Sequence, residues 1–233
     1  MKGDALQIIA PSHEILFVPD GKALLANLEV AGRTCYKSED RITPDSAAAF
    51  VRRIVASGHH SVMEHAAVTV RFVCDRGVTH ELVRHRLAAF SQESTRYANY
   101  SQEKFGGGIT VIRPLFWELG SPPYRLWLAA MTQAEAAYLE LLALGARPQE
   151  ARSVLPNSLK TEIVMTANLR EWRHVLHLRC SKAAHPQIRE IMLPLLEHFQ
   201  RVLPVVFEDL QQKYQEDIAE MARLRARVDQ VSA

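Results

Sequence analysis

At 233 residues, 48% hydrophobic and 23% charged, the chain is long enough for a substantial core and too evenly balanced for disorder. A net charge of +2 gives no global basic field for nucleic acid, and no window is free of charge over a membrane-spanning length. The N-terminal stretch has no basic region followed by a sustained apolar run, so a cytoplasmic location is expected; Cys35, Cys74 and Cys180, odd in number and without CxxC spacing, indicate neither disulfides nor a thiolate metal site.

In chain order, 6–10 and 15–18 read as short strands about a turn at Pro11, and 22–30 as a short helix. Residues 45–57 read as a helix with the apolar stripe Ala48, Val51 and Ile54, closed by Gly58. Over 66–74 the period changes: Val68, Val70, Phe72 and Cys74 alternate with Thr69, Arg71 and Val73, as in a strand. Val78, Leu82, Val83 and Leu87 return to helical spacing, which puts Arg84, His85 and Arg86 on a last helical turn and the polar run after them in a loop. Gly106, Gly107 and Gly108 make a turn before a strand over 109–113. Pro122 and Pro123 then open a long amphipathic helix carrying Trp127, Met131, Ala134, Tyr138 and Leu141 and ending near Gly145. Pro148 starts a short helix bearing Arg152, and 160–167 read as a strand. Asn168, with Glu171 three residues on, gives a capping-box start to a helix ending near Arg179. Residues 186–202 form an apolar helix bent at Pro194, and the charged segment from about 208 to 233 is a helical tail. No repeat or linker divides the chain, so one domain over 1–233 is expected, of α/β or mixed α+β class, with a sheet flanked by long helices.

Three clusters carry chemistry. The run ELVRHRLAAFSQESTRY packs Arg84, His85, Arg86 and Arg96 among short hydroxyl and amide side chains, a combination suited to phosphorylated, planar ligands. Consecutive helical residues diverge by about 100°, so the basic triplet fans around one ligand or serves two. Each cation would gain only roughly 0.3 to 1 kcal/mol at a helix C-terminus, a weak reason for three in a row. Gln92, Glu93, Ser94, Thr95 and Arg96 make a phosphate nest or, on spacing alone, a solvated loop. The segment HHSVMEH, from His59 to His65, admits a metal, yet it is not an HExxH arrangement and a polar turn accounts for it equally. The third cluster is Arg152, Asn168, Arg170, His174 and Arg179. Leu169, Trp172 and Leu176 form the buried stripe of its helix, Arg170, His174 and His177 another face, and Arg179 continues the buried stripe. An arginine there needs an anionic or carbonyl-rich partner, because an unpaired charge away from water is costly.

With RHR, seven residues and then Ser94, THELVRHRLAAFSQESTRY resembles the signature of the flavin-dependent thymidylate synthases. HHSVMEH, ARSVLP, NLREWRH and HLR extend the resemblance from about Arg33 to Arg179. It implies a homotetramer of α/β subunits with shared active sites, and reductive methylation of dUMP to dTMP with FAD, NADPH and methylenetetrahydrofolate. It also implies flavin contacts for Ser61, Arg84, His85, Arg86, Gln92, Asn168, Arg170 and His174, the last standing where many members carry Asn. Implied dUMP contacts are Glu81, Leu82, Val83 and Arg84 from another subunit, and Gln92, Glu93, Ser94, Thr95 and Arg96 in the nucleotide loop. Arg152 falls on the phosphate side and Arg179 against the pyrimidine. Glu81 replaces a Gln of other members, and some carry Glu at the Gln92 position.

Elementary chemistry agrees with those roles. Uracil C5 is a poor nucleophile until negative charge builds on the ring, and a guanidinium fixed at the ring edge stabilises that charge. No cysteine sits in the setting of an activated thiolate. Ser94 has no assured base beside it, so nucleotide binding is expected of it ahead of a covalent role. Two other readings stay open on sequence: a nucleic-acid module using the arginines, against which stand the near-neutral charge and the lack of an aromatic-interleaved basic face, and a metal hydrolase built on His59, His60, Glu64 and His65.

Overall fold

The computed structural model describes residues 6–230; the first five residues of the N-terminal stretch and 231–233 of the expected tail lie outside them. In chain order the described elements are β1 (Gln7–Ile9), β2 (Ser12–Phe17), α1 (Gly21–Thr34), α2 (Ser46–Ala56), β3 (Ala67–Asp75), α3 (Arg76–Leu82), β4 (Ala88–Gln92) and β5 (Thr110–Ile112). They continue with α4 (Pro122–Ala143), α5 (Pro148–Ala151), β6 (Lys160–Asn168), α6 (Leu169–Arg179), α7 (Pro186–Val202), α8 (Pro204–Lys213) and α9 (Gln215–Gln230). This is the expected mixed α/β class. One antiparallel sheet has the order β2-β3-β6-β4, and β1 pairs in parallel with β5.

The sheet has two unlike faces because its central strands alternate. β3 pairs with β6 along its whole length, from Ala67 opposite Asn168 to Asp75 opposite Lys160. Val68, Val70, Phe72 and Cys74 of β3 are buried with Thr161, Ile163, Met165 and Ala167 of β6. Against them packs Trp172 of α6, its ring 6.4 Å from Phe72 and 5.2 Å from Phe199 of α7, with the indole N–H donating to the Val68 carbonyl at 3.0 Å. Burying a ring of that size and satisfying its N–H makes this contact the anchor of the layer. The other face carries Thr69, Arg71, Lys160, Glu162 and Thr166, and is open and polar. A second apolar cluster, with Tyr100, Ile109, Val111, Trp127, Met131 and Tyr138, forms around α4.

Several local expectations need correction. The helix expected through Leu87 stops at Leu82. After Val83 N–H closes on the Thr79 carbonyl, the amides of Arg84 and His85 bond only three residues back, to Glu81 at 3.3 Å and Leu82 at 3.0 Å. Residues 88–92 then pair with the open edge of β6 and become a strand, so the polar run begins on β4 instead of in a loop. Leu87, assigned to an apolar stripe, is 73% exposed. Helix α1 runs past residue 30 because Arg33 and Glu29 form a buried ion pair at 2.7 Å, and β2 starts at Ser12, directly after Pro11. Asn168 caps α6, its side chain accepting from Glu171 N–H at 2.9 Å, but the Glu171 carboxylate lies against His85. The tail is not simply a charged helix: Leu210, Tyr214 and Met221 of α8 and its continuation join the main core, and Arg189 of α7 pairs with Asp217 at 2.5 Å. Among the described residues no helix is long and apolar enough to cross a membrane.

Helices α1 and α2 touch at Gly32, where a Cβ would lie 2.6 Å from Phe50 Cε1. Alanine normally gains about 1 kcal/mol over glycine inside a helix, whereas overpacking costs about 1–3 kcal/mol, and here the overlap wins. Gly32→Ala is expected to lower the thermal midpoint. Combined with Phe50→Leu it should cost less than the sum of the two single changes, as measured by thermal melting of all three variants.

Candidate active site

Strands β3 and β6 each feed a helix. Asp75 caps α3, one carboxylate oxygen accepting from Val78 N–H at 2.7 Å and the other from the Gln187 amide at 2.7 Å. Asn168 caps α6. Because the strands are antiparallel, the two helices start at opposite ends of the sheet, and their C-termini meet. There Arg179 Nη1 donates to the Glu81 carboxylate at 2.7 Å, Nη2 to the Glu81 carbonyl at 3.0 Å, and Nε to His85 Nε2 at 3.0 Å. The anionic and carbonyl partners that a half-buried arginine requires thus come from one residue. A guanidinium has five N–H groups, so after these contacts Nη1 and Nη2 each keep one donor for a ligand oxygen.

Asn168, Arg170 and His174 line a cavity of about 550 Å³ together with Glu171 and Arg173. Arg170 pairs with Glu64 of the 3-10 turn His60–His65, which ties the histidine-rich segment to α6 and gives its carboxylate an arginine partner. His60 Nε2 lies 3.4 Å from the Val55 carbonyl, and exposed Ser61 lines an adjoining cavity of about 400 Å³ that Arg170 shares. Arg173 is buried; its Nη atoms are held by the Val206 carbonyl and Asp209, and its Nε has no hydrogen-bond partner. His85, Glu171 and His174 each place a donor atom within 4.8 Å of the others, as metal ligands would. The His85 Nε2 lone pair is already taken by the Arg179 N–H, however, and a cation there would face that guanidinium.

Gln92 and Glu93 line a third cavity, of about 740 Å³, on the polar side of the sheet. Gln92 donates to Thr79 at 3.1 Å and Thr161 at 3.3 Å; Glu93 accepts from the Tyr100 hydroxyl at 2.9 Å and from Lys160 at 3.2 Å. Burial and the adjacent Glu93 carboxylate push the Tyr100 phenol up. Burial opposes the Lys160 charge, yet its bonds to Glu162 and Glu93 prevail and raise it. Tyr100 and Lys160 went unnoticed as site residues in the sequence, Lys160 reading only as the first position of a strand. Beyond Glu93 the chain forms an ordered turn: the Ser94 carbonyl accepts from Tyr97 and Ala98 N–H at 3.1 and 3.0 Å, and its hydroxyl from Arg96 N–H at 3.3 Å. Arg152 reaches Thr95 Oγ1 at 3.5 Å, and the Arg96 guanidinium lies over the Tyr97 ring, 5.5 Å from its centroid. Arg84, Arg86 and Val83 are exposed, whereas Leu82 is wholly buried in the core and lies behind the site.

Residues 22–205 match the sequence profile of a family described as thymidylate synthase complementing protein. A protein named flavin-dependent thymidylate synthase from Corynebacterium glutamicum is 34% identical over 237 residues, covering 94% of this chain and 92% of its own length. Proteins of the same name from Mycobacterium sp. (strain JLS) and Geobacter sulfurreducens are 36% and 33% identical over 214 and 198 residues, each alignment covering 82% of both chains.

His85 is the buried member of the basic triplet, 4% exposed. Burial first, then the nearby Arg179 and His174, lower its pKa from 6.5 to about 4. An unfolded chain therefore takes up a proton as pH falls through 6.5 while the folded one does not until about 4, so this contribution to stability is complete above pH 6.5 and is lost toward pH 4. His13, lowered to about 4 by burial and by His198, adds a contribution of the same sign. His85→Gln is expected to flatten part of the decline in thermal midpoint between pH 6.5 and 4 and to leave the share of His13; a decline as steep as that of the wild type would contradict the assignment.

Proposed function

The chain belongs to the flavin-dependent thymidylate synthase family, and from that membership we propose that it converts dUMP to dTMP, with methylenetetrahydrofolate as one-carbon donor and NADPH-reduced FAD as hydride donor. The observation that carries this reading is the Arg179 guanidinium, fixed at three points with two N–H groups left over. Set against the edge of a uracil ring, those donors oppose the negative charge that must gather on the ring oxygens and N3 before C5 can attack. The donors are in place before the reaction, so no reorganisation is needed as charge develops.

The residues at the cavity beside α6 fit a flavin dinucleotide. Its wall combines the Asn168 amide, Arg170, His174 and Arg173 with an unpartnered buried Nε, a donor-rich cationic surface suited to a diphosphate and to the polar edge of a flavin. Ser61, Arg84, His85, Arg86 and Gln92 are the further contacts. The chemistry that the flavin brings when bound is hydride transfer. Everything else falls to the chain's own groups. Ser94, Thr95, Arg96 and Arg152 hold the nucleotide phosphate, Glu93 and the segment from Glu81 to Arg84 the rest of dUMP, and Arg179 the pyrimidine. No base bonds the Ser94 hydroxyl among the described residues, which supports binding as its task. Burial pushes the thiols of Cys74 and Cys180 up, which makes them poor nucleophiles and favours a route without a thiolate adduct. The exposure of Arg84, Arg86 and Arg96, beside exposed Leu87 and Tyr97, supports a site completed by other subunits of a homotetramer.

The purified protein is expected to be yellow and to oxidise NADPH in a dUMP-dependent way; colourless protein that takes up no FAD on reconstitution would overturn the proposal. Arg179→Ala should keep its flavin and lose about a hundredfold or more in dTMP formation, whereas Arg86→Ala should show its defect first as weaker flavin retention on gel filtration.

A further inference from the structure

Glu171 has no part in the roles above, yet it is only 6% exposed, and a carboxylate so far from water persists only against a partner. An acid in the first turn of a helix complements the helix dipole, but Asn168 already caps this turn. The Glu171 side chain is directed at His85, its Oε1 3.5 Å from Nδ1. On the far side of that ring, Arg179 Nε lies 3.0 Å from Nε2. Arginine Nε always carries its proton, so Nε2 must present a lone pair, and the single proton of the neutral ring sits on Nδ1, facing Glu171. The groups form one row: Glu171 carboxylate, His85 imidazole, Arg179 guanidinium, Glu81 carboxylate. His174 meets the same imidazole edge-on, with ring centroids 5.8 Å apart.

We propose that Glu171 is a positioning residue for Arg179, acting through His85: its carboxylate, set against Nδ1, favours the proton there and so fixes the tautomer of the ring, and thereby the lone pair that holds Arg179 Nε. The assignment rests on Arg179 as the group that stabilises charge on the pyrimidine. No proton moves along the row. Without the carboxylate the imidazole is free to carry its proton on Nε2, which sets N–H against N–H and releases one of the three points that fix the guanidinium.

The test compares Glu171→Ala and Glu171→Gln holoenzymes, since glutamine keeps a carbonyl that can accept from Nδ1–H. Three quantities are read: kcat for dTMP formation, the dissociation constant of dUMP, and the imidazole 15N shifts of His85 in histidine-labelled protein, assigned with His85→Gln. Glu171→Ala should lower kcat by about tenfold, the loss of one hydrogen bond to a charged group, while dUMP affinity and flavin content change by less than about threefold. Its His85 shifts should move away from the Nδ1–H form. Glu171→Gln should keep that form and stay within about threefold of wild-type kcat. Full kcat in Glu171→Ala, equal losses in both variants, or unmoved His85 shifts would overturn the role of Glu171. Should the alanine variant fail to fold, an Nε2–H imidazole in the wild type would overturn it as well. A wild type that shows the Nδ1–H form yet makes no dTMP overturns the reading of Arg179 instead, so the two failures are told apart.

Discussion

Arg179 carries a permanent charge into a half-buried position, and the architecture around it follows from keeping that charge partnered by protein atoms. Two helices that begin at opposite ends of an antiparallel strand pair can supply those partners only if they run far enough back to meet. The nine-residue strands span about 30 Å; α6, with eleven residues, covers about 16 Å and α3, with seven, about 10 Å. The lengths nearly close the gap, and the contact at Glu81 closes the rest. Two helix C-termini thereby converge, each presenting carbonyls and the negative end of its dipole. A cluster of basic residues at that point is electrostatically welcome before any ligand arrives. The Glu81 carbonyl serves both ends of this junction, accepting from Arg84 N–H at 3.3 Å and from Arg179 Nη2 at 3.0 Å.

The alternation of β3 and β6 divides the labour between the faces of the sheet. One face is sealed by Trp172, Phe199 and the helices carrying them, which holds the register in which α3 and α6 emerge. The other face, with Arg71, Lys160 and Glu162, stays polar and lines the cavity of about 740 Å³ that Glu93 shares. A one-residue slip of β6 would exchange the two faces, burying Lys160 and Glu162 and exposing Ile163 and Met165. Core and site are therefore two consequences of a single pairing register.

Much of this was legible in the sequence where local chemistry is decisive. The period-2 run over 66–74, the prolines opening α4 and α7, and the Asn168 cap each read correctly, because a pattern of a few residues determines them. The requirement that Arg179 find an anionic or carbonyl partner was legible too, since it follows from burial and charge alone. Which partner was not. Glu81 and Arg179 are 98 positions apart, and only the β3–β6 pairing brings them together. The strand over 88–92 was misread for a similar reason: Leu87 fits a helical stripe, and what decides otherwise is an unpaired edge on β6, whose paired positions lie 71 to 79 residues further along. Glu171 was taken for half of a capping box because its spacing from Asn168 is right; nothing local could reveal that His85 competes for its carboxylate.

The choice of side chains around Arg179 has an electrostatic logic of its own. A second cation beside the guanidinium would displace it, and a second close carboxylate would neutralise the charge on which its proposed role depends. His85 avoids both. Held neutral well into the acid range by burial and by Arg179 itself, it accepts a hydrogen bond and contributes no net charge. Among the described residues Glu81 is the one direct anionic contact, and it is half-exposed, so solvent screens part of its pull. Its backbone carbonyl anchors Nη2 whatever the side chain does. In the proposed reaction, substrate oxygens therefore need not expel Glu81 to reach Arg179, since each Nη keeps one N–H. The guanidinium is held at three points by protein atoms and keeps two donors unused, the arrangement that its proposed task of meeting charge on a ring requires.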